Sequence, residues 1–363
     1  MTVFTLLVAV AALLLLQMVL FRRLALRRIV YKRYFSSAAV YEGDHVNMVE
    51  EISNAKLLPV PWLRVEARMS RWLRFRHQEN LAIADDMYHR SVFTLGPWRK
   101  ITRTHDVTCV RRGCYAIDTI ALSGGDLLGL AQSTKTLENP VELLVYPRLQ
   151  DFSRLEVPSR RWQGDVVVRR FIEPDPFLIN GIRPFRSGDS IKDVHWAATA
   201  RTGALQIKTR DYTASPRLMI LVNMQLTEDQ WGELNEAQTL FIEESISLAA
   251  TYAAWARNFG VETAFLCNGR YSAMDDTAVE VALGAGQVHL EAMLETMARM
   301  RVLRRRSVTA WLDEEILPRG LSGYDILMIS HYWSDNLEER AGRLRRMENS
   351  VTWINPGGAA HAN

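Results

Sequence analysis

The alternation of apolar and polar positions divides the chain into three textures. Thr2 to Phe21, "TVFTLLVAVAALLLLQMVLF", runs 20 residues without a charge. As a helix rising 1.5 Å per residue it covers about 30 Å, the depth of a bilayer core. From about Ala38 to Pro147, short alternating stretches recur, such as "WLRVEARMS", "SVFTL" and "VELLVYP". Gly43-Asp44, Asn54, Pro59, Pro61, Gly96-Pro97, Gly113 and Gly124-Gly125 interrupt them. Period-two runs between such breakers predict an antiparallel β-sandwich-like domain over 38–150. From Pro216 onward apolar runs of buried-strand type alternate with helical spacing. "RLMILVNM", "VETAFLCNG", "YDILMISH" and "SVTWINPG" are the strands. "NEAQTLFIEESISLAATYAAWARNFG", "VHLEAMLETMARM" and "DNLEERAGRLRRM" are the helices. That order predicts an α/β domain over 216–357 with a parallel sheet covered on both faces. The whole is an α+β multidomain chain. Its parts are an apolar anchor (1–21), a basic juxtamembrane linker (22–37), the sandwich, a connector with a strand or two (151–215), the α/β domain and a tail (358–363).

Charge sharpens the reading of the N-terminus. "RRLALRRIVYKR" follows the apolar run with six basic residues and no acid. A signal peptide carries its positive charge before the apolar run and ends in small residues, and this segment does neither. A transmembrane anchor with its basic end inside is therefore expected. The N-terminus then lies outside and the soluble domains lie in the cytoplasm, on the inner face of the membrane. The chain carries +3 in total and the flank +6, so the remainder is about −3. Nucleic-acid binding would need a basic surface on the soluble part and is not expected. The local run "RVLRRR" at 301–306 reads as a solvated helix end. Three cysteines, Cys109, Cys114 and Cys267, are too few and too scattered for a disulfide framework or a zinc site. The histidines outside the connector stand alone and read as surface or packing residues.

Chemistry-bearing residues concentrate in "PFRSGDSIKDVHWAATARTGALQIKTRDY", Pro184 to Tyr212. Asp189 stands at an N-cap position, Ser190 to Thr202 has helical spacing, and Gly203 is a stop signal. The alternating "ALQIKTRDY" then reads as a half-buried strand. Several roles compete for this stretch. Ser190, Asp193 and His195 are spaced poorly for a hydrolytic relay on one helix. Asp189 and Asp193 share a helix face, but His195 lies off it, about 120° from Asp189 around the helix, which disfavours a metal. A fixed network, with Asp189 capping and Arg186 or Arg201 pairing Asp193 or Asp211, suits the planar guanidinium. A partner-recognition surface on the same helix is the remaining possibility. Elsewhere no phosphate-binding loop, dinucleotide fingerprint or His-Glu-x-x-His motif occurs. The Gly-rich "SGGDLLGL" (Ser123 to Leu130) lies between β stretches rather than before a helix.

The same residues resemble the signature of the bacterial domain of unknown function family 58. Its form is Arg-x-Tyr-x-x-Gly-Asp, then Ile-Asp/His-Trp-x-x-x-Ala-Arg, then Gly-x-Leu. Here it falls on Arg183, Phe185 in place of Tyr, Gly188, Asp189, Val194 in place of Ile, His195, Trp196, Ala200, Arg201, Gly203 and Leu205. "RRGCYAIDTIALSGGDLLGL" with "VYPRL" resembles the family's earlier segment, Arg-Gly-x-Tyr, Asp-x-x-Gly-Leu and Tyr-Pro. The resemblance implies a sandwich-like part followed by a von Willebrand factor A-like, Rossmann-like α/β domain. Such domains carry a metal site, Asp-x-Ser-x-Ser, after the first strand. Here the positions are Asn223, Gln225 and Thr227, and Ser330-His331 stands where a later Asp belongs. A neutral amide in place of a carboxylate implies a degenerate site with no cofactor and at most weak Mg2+ binding. The resemblance also implies a partner, a MoxR-type AAA+ ATPase, with further membrane or transglutaminase-like partner proteins. The expected role is a membrane-anchored adaptor or scaffold in protein assembly or maturation, not an enzyme. The alternatives are a hydrolase-like enzyme using Asp189, Asp193 and His195, and a metal-dependent adhesion-type binding module.

Overall fold

The computed structural model describes residues 2–76, 88–151, 179–185, 194–210, 217–230, 232 and 234–357. Two compact units divide the chain: Met1–Gln150 with Glu291–Arg301, and Asp151–Leu290 with Val302–Asn363. Glu291–Arg301, expected in the α/β domain, thus groups with the first unit.

In the first unit, α1 (Thr2–Leu24) is followed by nine strands. They are β1 (Ile29–Phe35), β2 (Ala39–Tyr41), β3 (His45–Asn54), β4 (Val60–Arg68), β5 (Leu73–Phe75), β6 (Tyr88–Leu95), β7 (Lys100–Cys109), β8 (Gly113–Gly125) and β9 (Gln132–Tyr146). The span 22–37, expected as a linker, instead supplies β1, because "IVYKRYF" alternates and turns Ile29, Tyr31 and Arg33 inward. The strands form two sheets, ordered β1-β3-β7-β5 and β2-β9-β8-β4-β6. Pairing is antiparallel except between β2 and β9. One core fills the unit, with Met48 and Ile52 from the first sheet and Leu63, Ile120, Leu122 and Leu143 from the second. Helix α1 is long and apolar enough to cross a membrane, and its side chains are largely exposed.

In the second unit a two-stranded hairpin comes first, with β10 (Ile179–Pro184) antiparallel to β11 (Gln206–Arg210) and α2 (Trp196–Thr202) between them in sequence. There follow in sequence β12 (Arg217–Val222), α3 (Glu236–Asn258), β13 (Glu262–Cys267), β14 (Gly269–Arg270), β15 (Val279–Gly284), α4 (Gln287–Arg299), β16 (Arg301–Arg304), α5 (Val308–Trp311), β17 (Asp325–Ile329), α6 (Asp335–Arg346) and β18 (Ser350–Ile354), of which α4 from Glu291 and the first residue of β16 belong to the first unit. The main sheet is ordered β15-β13-β12-β17-β18, parallel except for the edge strand β15. Met219 and Leu221 of β12 face a core completed by Trp311, Leu312, Leu337 and Leu344. The alternate residues Leu218, Ile220 and Val222 are equally buried, and α3 lies against β12 and β13. Asn235 and Gln238 close a capping box at the start of α3. Chain order places neighbours on both sides of β12, so its carboxyl end is the switch point where α/β sheets form crevices.

Gly125, at the end of β8, is a packing requirement. A Cβ there would overlap the Ala131 carbonyl oxygen and stand 2.8 Å from the Trp62 ring. Gly125→Ala is expected to cost about 1–3 kcal/mol, read as a lower denaturant midpoint of the full-length protein in detergent.

Candidate functional sites

The described signature residues meet at the β10–β11 hairpin. Arg183 pairs across the ladder with Ile207, and its Nη1 donates to the Pro184 carbonyl at 3.2 Å. Phe185 N donates to Leu205 O at 2.9 Å. Val194 is buried and bridges Ile207. The expected helix from Ser190 is corrected here: α2 begins at Trp196, and His195 rather than Asp189 is its N-cap. His195 N donates to Gln206 O at 2.7 Å, and its Nδ1 accepts from Ala198 N at 3.1 Å. The bridge at Val194 and that backbone bond tie Val194 and His195 to β11 immediately before the first turn of α2. Gly203 closes α2 in a left-handed conformation, φ 68°, with its N–H on Thr199 O. Thr199 Oγ1 accepts from Gln206 N at 3.0 Å, tying the helix to β11. Arg186, Gly188, Asp189, Ser190, Asp193 and Asp211 lie outside the described residues. The expected hydrolase-like set is thus represented by His195 alone, and its Nδ1 is spent on the cap.

Several large apolar side chains of this motif are exposed. No residue of α2 is buried, and Trp196 is 65% exposed. Ile182, Phe185 and Leu205 are also exposed. Arg201, in the last turn, faces solvent.

At the carboxyl end of β12 the degenerate metal positions form a closed amide network. Asn223 Oδ1 accepts from Gln225 N at 3.1 Å and from Asn268 Nδ2 at 3.2 Å. Asn223 Nδ2 donates to Ser330 Oγ at 3.0 Å, which donates to Tyr332 O at 2.7 Å. Gln225 Oε1 accepts from Val308 N at 2.6 Å, and Asn268 Oδ1 accepts from Met224 N at 2.8 Å. Thr227 is exposed and joins only through its carbonyl, 3.5 Å from Gln225 Nε2. His331 turns away, its Nε2 3.0 Å from Ser245 Oγ and 2.7 Å from Phe241 O. Burial lowers its pKa. Without a carboxylate, and with the amide oxygens already accepting backbone N–H bonds, this set does not fit a divalent cation.

A third cluster escaped the sequence reading. Glu50 on β3 is fully buried inside the sandwich, and each carboxylate oxygen accepts two bonds. Tyr31 Oη and Arg33 Nη2 reach Oε1 at 2.6 and 2.7 Å. Ser91 Oγ and His105 Nε2 reach Oε2, both at 2.9 Å. Arg33 stands directly opposite Glu50 in the β1–β3 ladder. Ser91 belongs to β6 in the other sheet, so the network joins both layers. His89, also on β6, is buried, with Phe75 at 4.8 Å and His105 at 5.0 Å between ring centroids. Neither ring nitrogen of His89 has a hydrogen-bond partner among the described residues. Burial alone would raise the Glu50 carboxyl. The His105 bond and the Arg33 charge outweigh it and hold the group well below the usual carboxylate range. Burial pushes His89 down to about 3.

The ligand atoms of Glu50, His89 and His105 lie within 4.8 Å of one another. A dication there would displace the Ser91 and His105 bonds and stand beside the Arg33 guanidinium. The donor set fits an ion-paired hydrogen-bond network rather than a metal centre. Parity was the available signal. Glu50 continues the inward series Val46, Met48, Ile52, and His89 precedes the inward Ser91, Phe93 and Leu95.

Residues 181–323 match the sequence model of a family described as "Protein of unknown function DUF58". "Uncharacterized protein YeaD" of Bacillus subtilis (strain 168) is 23% identical over 212 residues, 58% of this chain and 51% of that protein. The chain therefore spans about half the length of this curated relative. Among solved structures, a non-cellulosomal cohesin from Archaeoglobus fulgidus covers 32% of this chain and 90% of its own, at 11% identity and TM-score 0.23. The CARDB domain of the PF1109 protein from Pyrococcus furiosus covers 33% and 90%, at 12% identity and TM-score 0.21. Likeness at these scores bears on neither function nor partners.

Three outcomes are expected. Glu50→Ala leaves Arg33 buried and unpaired, and should cost about 3–5 kcal/mol in denaturant unfolding of the full-length protein in detergent. The depressed His89 value makes its contribution to stability complete above about pH 6.5 and progressively lost as pH falls toward about 3. His89→Phe should flatten that acid limb; an unchanged slope would remove His89 as its cause. Millimolar Mg2+ should leave the unfolding midpoint unmoved, since a cation that does not bind the native state cannot stabilise it.

Proposed function

We propose that this chain, which over residues 181–323 belongs to the family described as "Protein of unknown function DUF58", is a membrane-anchored adaptor. In this reading α1 spans the membrane with the N-terminus outside, and the soluble units work at its inner face. The observation that carries the adaptor role is the surface of the signature motif. Its polar and glycine residues build a fixed turn, while Trp196, Phe185, Ile182 and Leu205 remain exposed. A short helix with no buried residue contributes nothing to a core, and exposed Trp196 on it, with exposed Phe185 and Leu205 joined across the hairpin, suits protein recognition. The basic flank Arg22, Arg23, Arg27 and Arg28 supports the inward orientation.

The partner we propose is a MoxR-type AAA+ ATPase, the one that the signature's resemblance implies. The α/β unit is read as von Willebrand factor A-like. Its parallel sheet and the position of the Asn223 network at the switch point support this. The closed amide set favours a metal-free binding module over a cation-dependent adhesion site.

The test is affinity purification of the full-length protein from its native membranes, with and without ATP, beside Trp196→Ala and Arg201→Ala variants. An AAA+ ATPase should co-purify and be lost with Trp196→Ala, while stability stays within about 0.5 kcal/mol as for other exposed sites. Persistence in both variants would move the docking surface elsewhere. Absence of any ATPase with the unaltered protein would end the adaptor reading.

A further inference from the structure

The earlier of the two signature segments, "SGGDLLGL", is not used by the adaptor reading. It forms the tip between β8 and β9. Asp126 is fully buried, its Oδ1 accepting from Ala131 N at 2.8 Å and its carbonyl from Trp62 Nε1 at 2.9 Å. Gly129 completes the turn at φ 75°. This scaffold holds three leucines outward: Leu127 is 78% exposed, Leu128 and Leu130 58% each. A soluble hairpin gains nothing from presenting three large apolar side chains on a rigid turn.

The tip lies against α1. Gln17 Nε2 donates to Asp126 Oδ2 at 3.3 Å. Gln17 precedes Phe21, the last residue of the uncharged run, by four positions, about 6 Å along a helix. The tip therefore reaches past Arg22 and Arg23 to the level of the apolar segment. Two further loops gather where α1 ends. Lys56 Nζ donates to Ala25 O at 2.7 Å, and Trp98 N donates to Lys56 O at 3.3 Å. Beside Lys56, Leu57 is 75% exposed. Trp98 holds φ 55°, an unfavourable region for a bulky residue, and is 65% exposed. Arg22, Arg23, Arg27 and Arg28, which flank the end of α1 in sequence, are exposed.

We infer that this end of the sandwich docks on an anionic lipid surface, with Leu127, Leu128 and Leu130 entering the acyl boundary beside α1. Trp98 and Leu57 lie at headgroup level, where an indole is favoured, and the arginines meet anionic headgroups. The sandwich is then held against the bilayer at two points rather than hanging from one helix. The inference rests on the reading of α1 as a membrane span, and it commits to lipid rather than to a second protein.

The test uses the full-length protein in phosphatidylcholine–phosphatidylglycerol vesicles. Single cysteines replace Leu13 in the helix, Leu128 at the tip and exposed Asp44 near the opposite end of the sandwich. The background is Cys114→Ser, in which Cys109 and Cys267 are buried. Each cysteine carries an environment-sensitive fluorophore, challenged with spin-labelled lipid and with aqueous iodide. The labels at 13 and 128 should be quenched by the lipid at least about twofold more than the label at 44, with 128 protected from iodide. If 13 is quenched and 128 behaves as 44 does, the anchor stands and this inference is overturned. If 128 is protected from iodide but not quenched by lipid, a protein surface covers the tip, and the inference is again overturned. If 13 is not quenched, the anchor reading fails, and the lipid contact fails with it.

Discussion

A carboxylate enclosed in a β-sandwich needs donors for both oxygens, and Glu50 draws them from both sheets. Arg33 and Tyr31 come from the strand beside it, His105 from the strand on its other side, and Ser91 from across the layer. Such a network contributes less net stability than the strength of its bonds suggests, because two ions were taken out of water. Its larger consequence is register. Sliding β1 or β3 by one residue would leave a buried charge unpaired, a cost no apolar pair imposes. The pairing that seats Glu50 also fixes the loops at the ends of the strands, where the exposed leucines and Trp98 stand.

The two sets of signature residues divide their work in a similar way. In each, polar and glycine positions settle the backbone and apolar positions face outward. Asp126, Gly125 and Gly129 shape the β8–β9 tip, and Leu127, Leu128 and Leu130 project from it. His195, Thr199 and Gly203 shape α2, and Trp196 projects from it. The Asn223 cluster differs. Its amides and hydroxyl satisfy each other and the surrounding backbone, so it behaves as an inward lock at the sheet's carboxyl edge.

Much of this was legible in the residue pattern. Uncharged Thr2–Phe21 gave α1, and period-two runs gave the sandwich strands. Continuous apolar runs gave β12, β13, β17 and β18, because a strand buried on both faces has no polar alternation. The pattern also contained β1, but its density of basic residues disguised it as a linker. Arg33 is consistent with a strand interior only because Glu50 faces it, and that partner is 17 residues away in the chain. The start of α2 was misplaced for a related reason. Helical spacing at Ile191 and Val194 is a local property, whereas the bridge from Val194 to Ile207 and the bond from His195 to Gln206 are made by a strand that comes later.

The sequence by itself determined what depends on near neighbours: the apolar helix, the alternation of strands, the glycines that end them, and the amide in place of a carboxylate at Asn223. Tertiary structure alone decided what depends on residues far apart in the chain. It brought Glu50 to Arg33, Ser91 and His105, and left His89 buried as a neutral ring. It also set the tip at Asp126 beside Gln17, 109 positions earlier. The reason is physical. Period and propensity act over a few residues, while hydrogen-bond satisfaction of a buried charge is settled only when the sheets have closed around it.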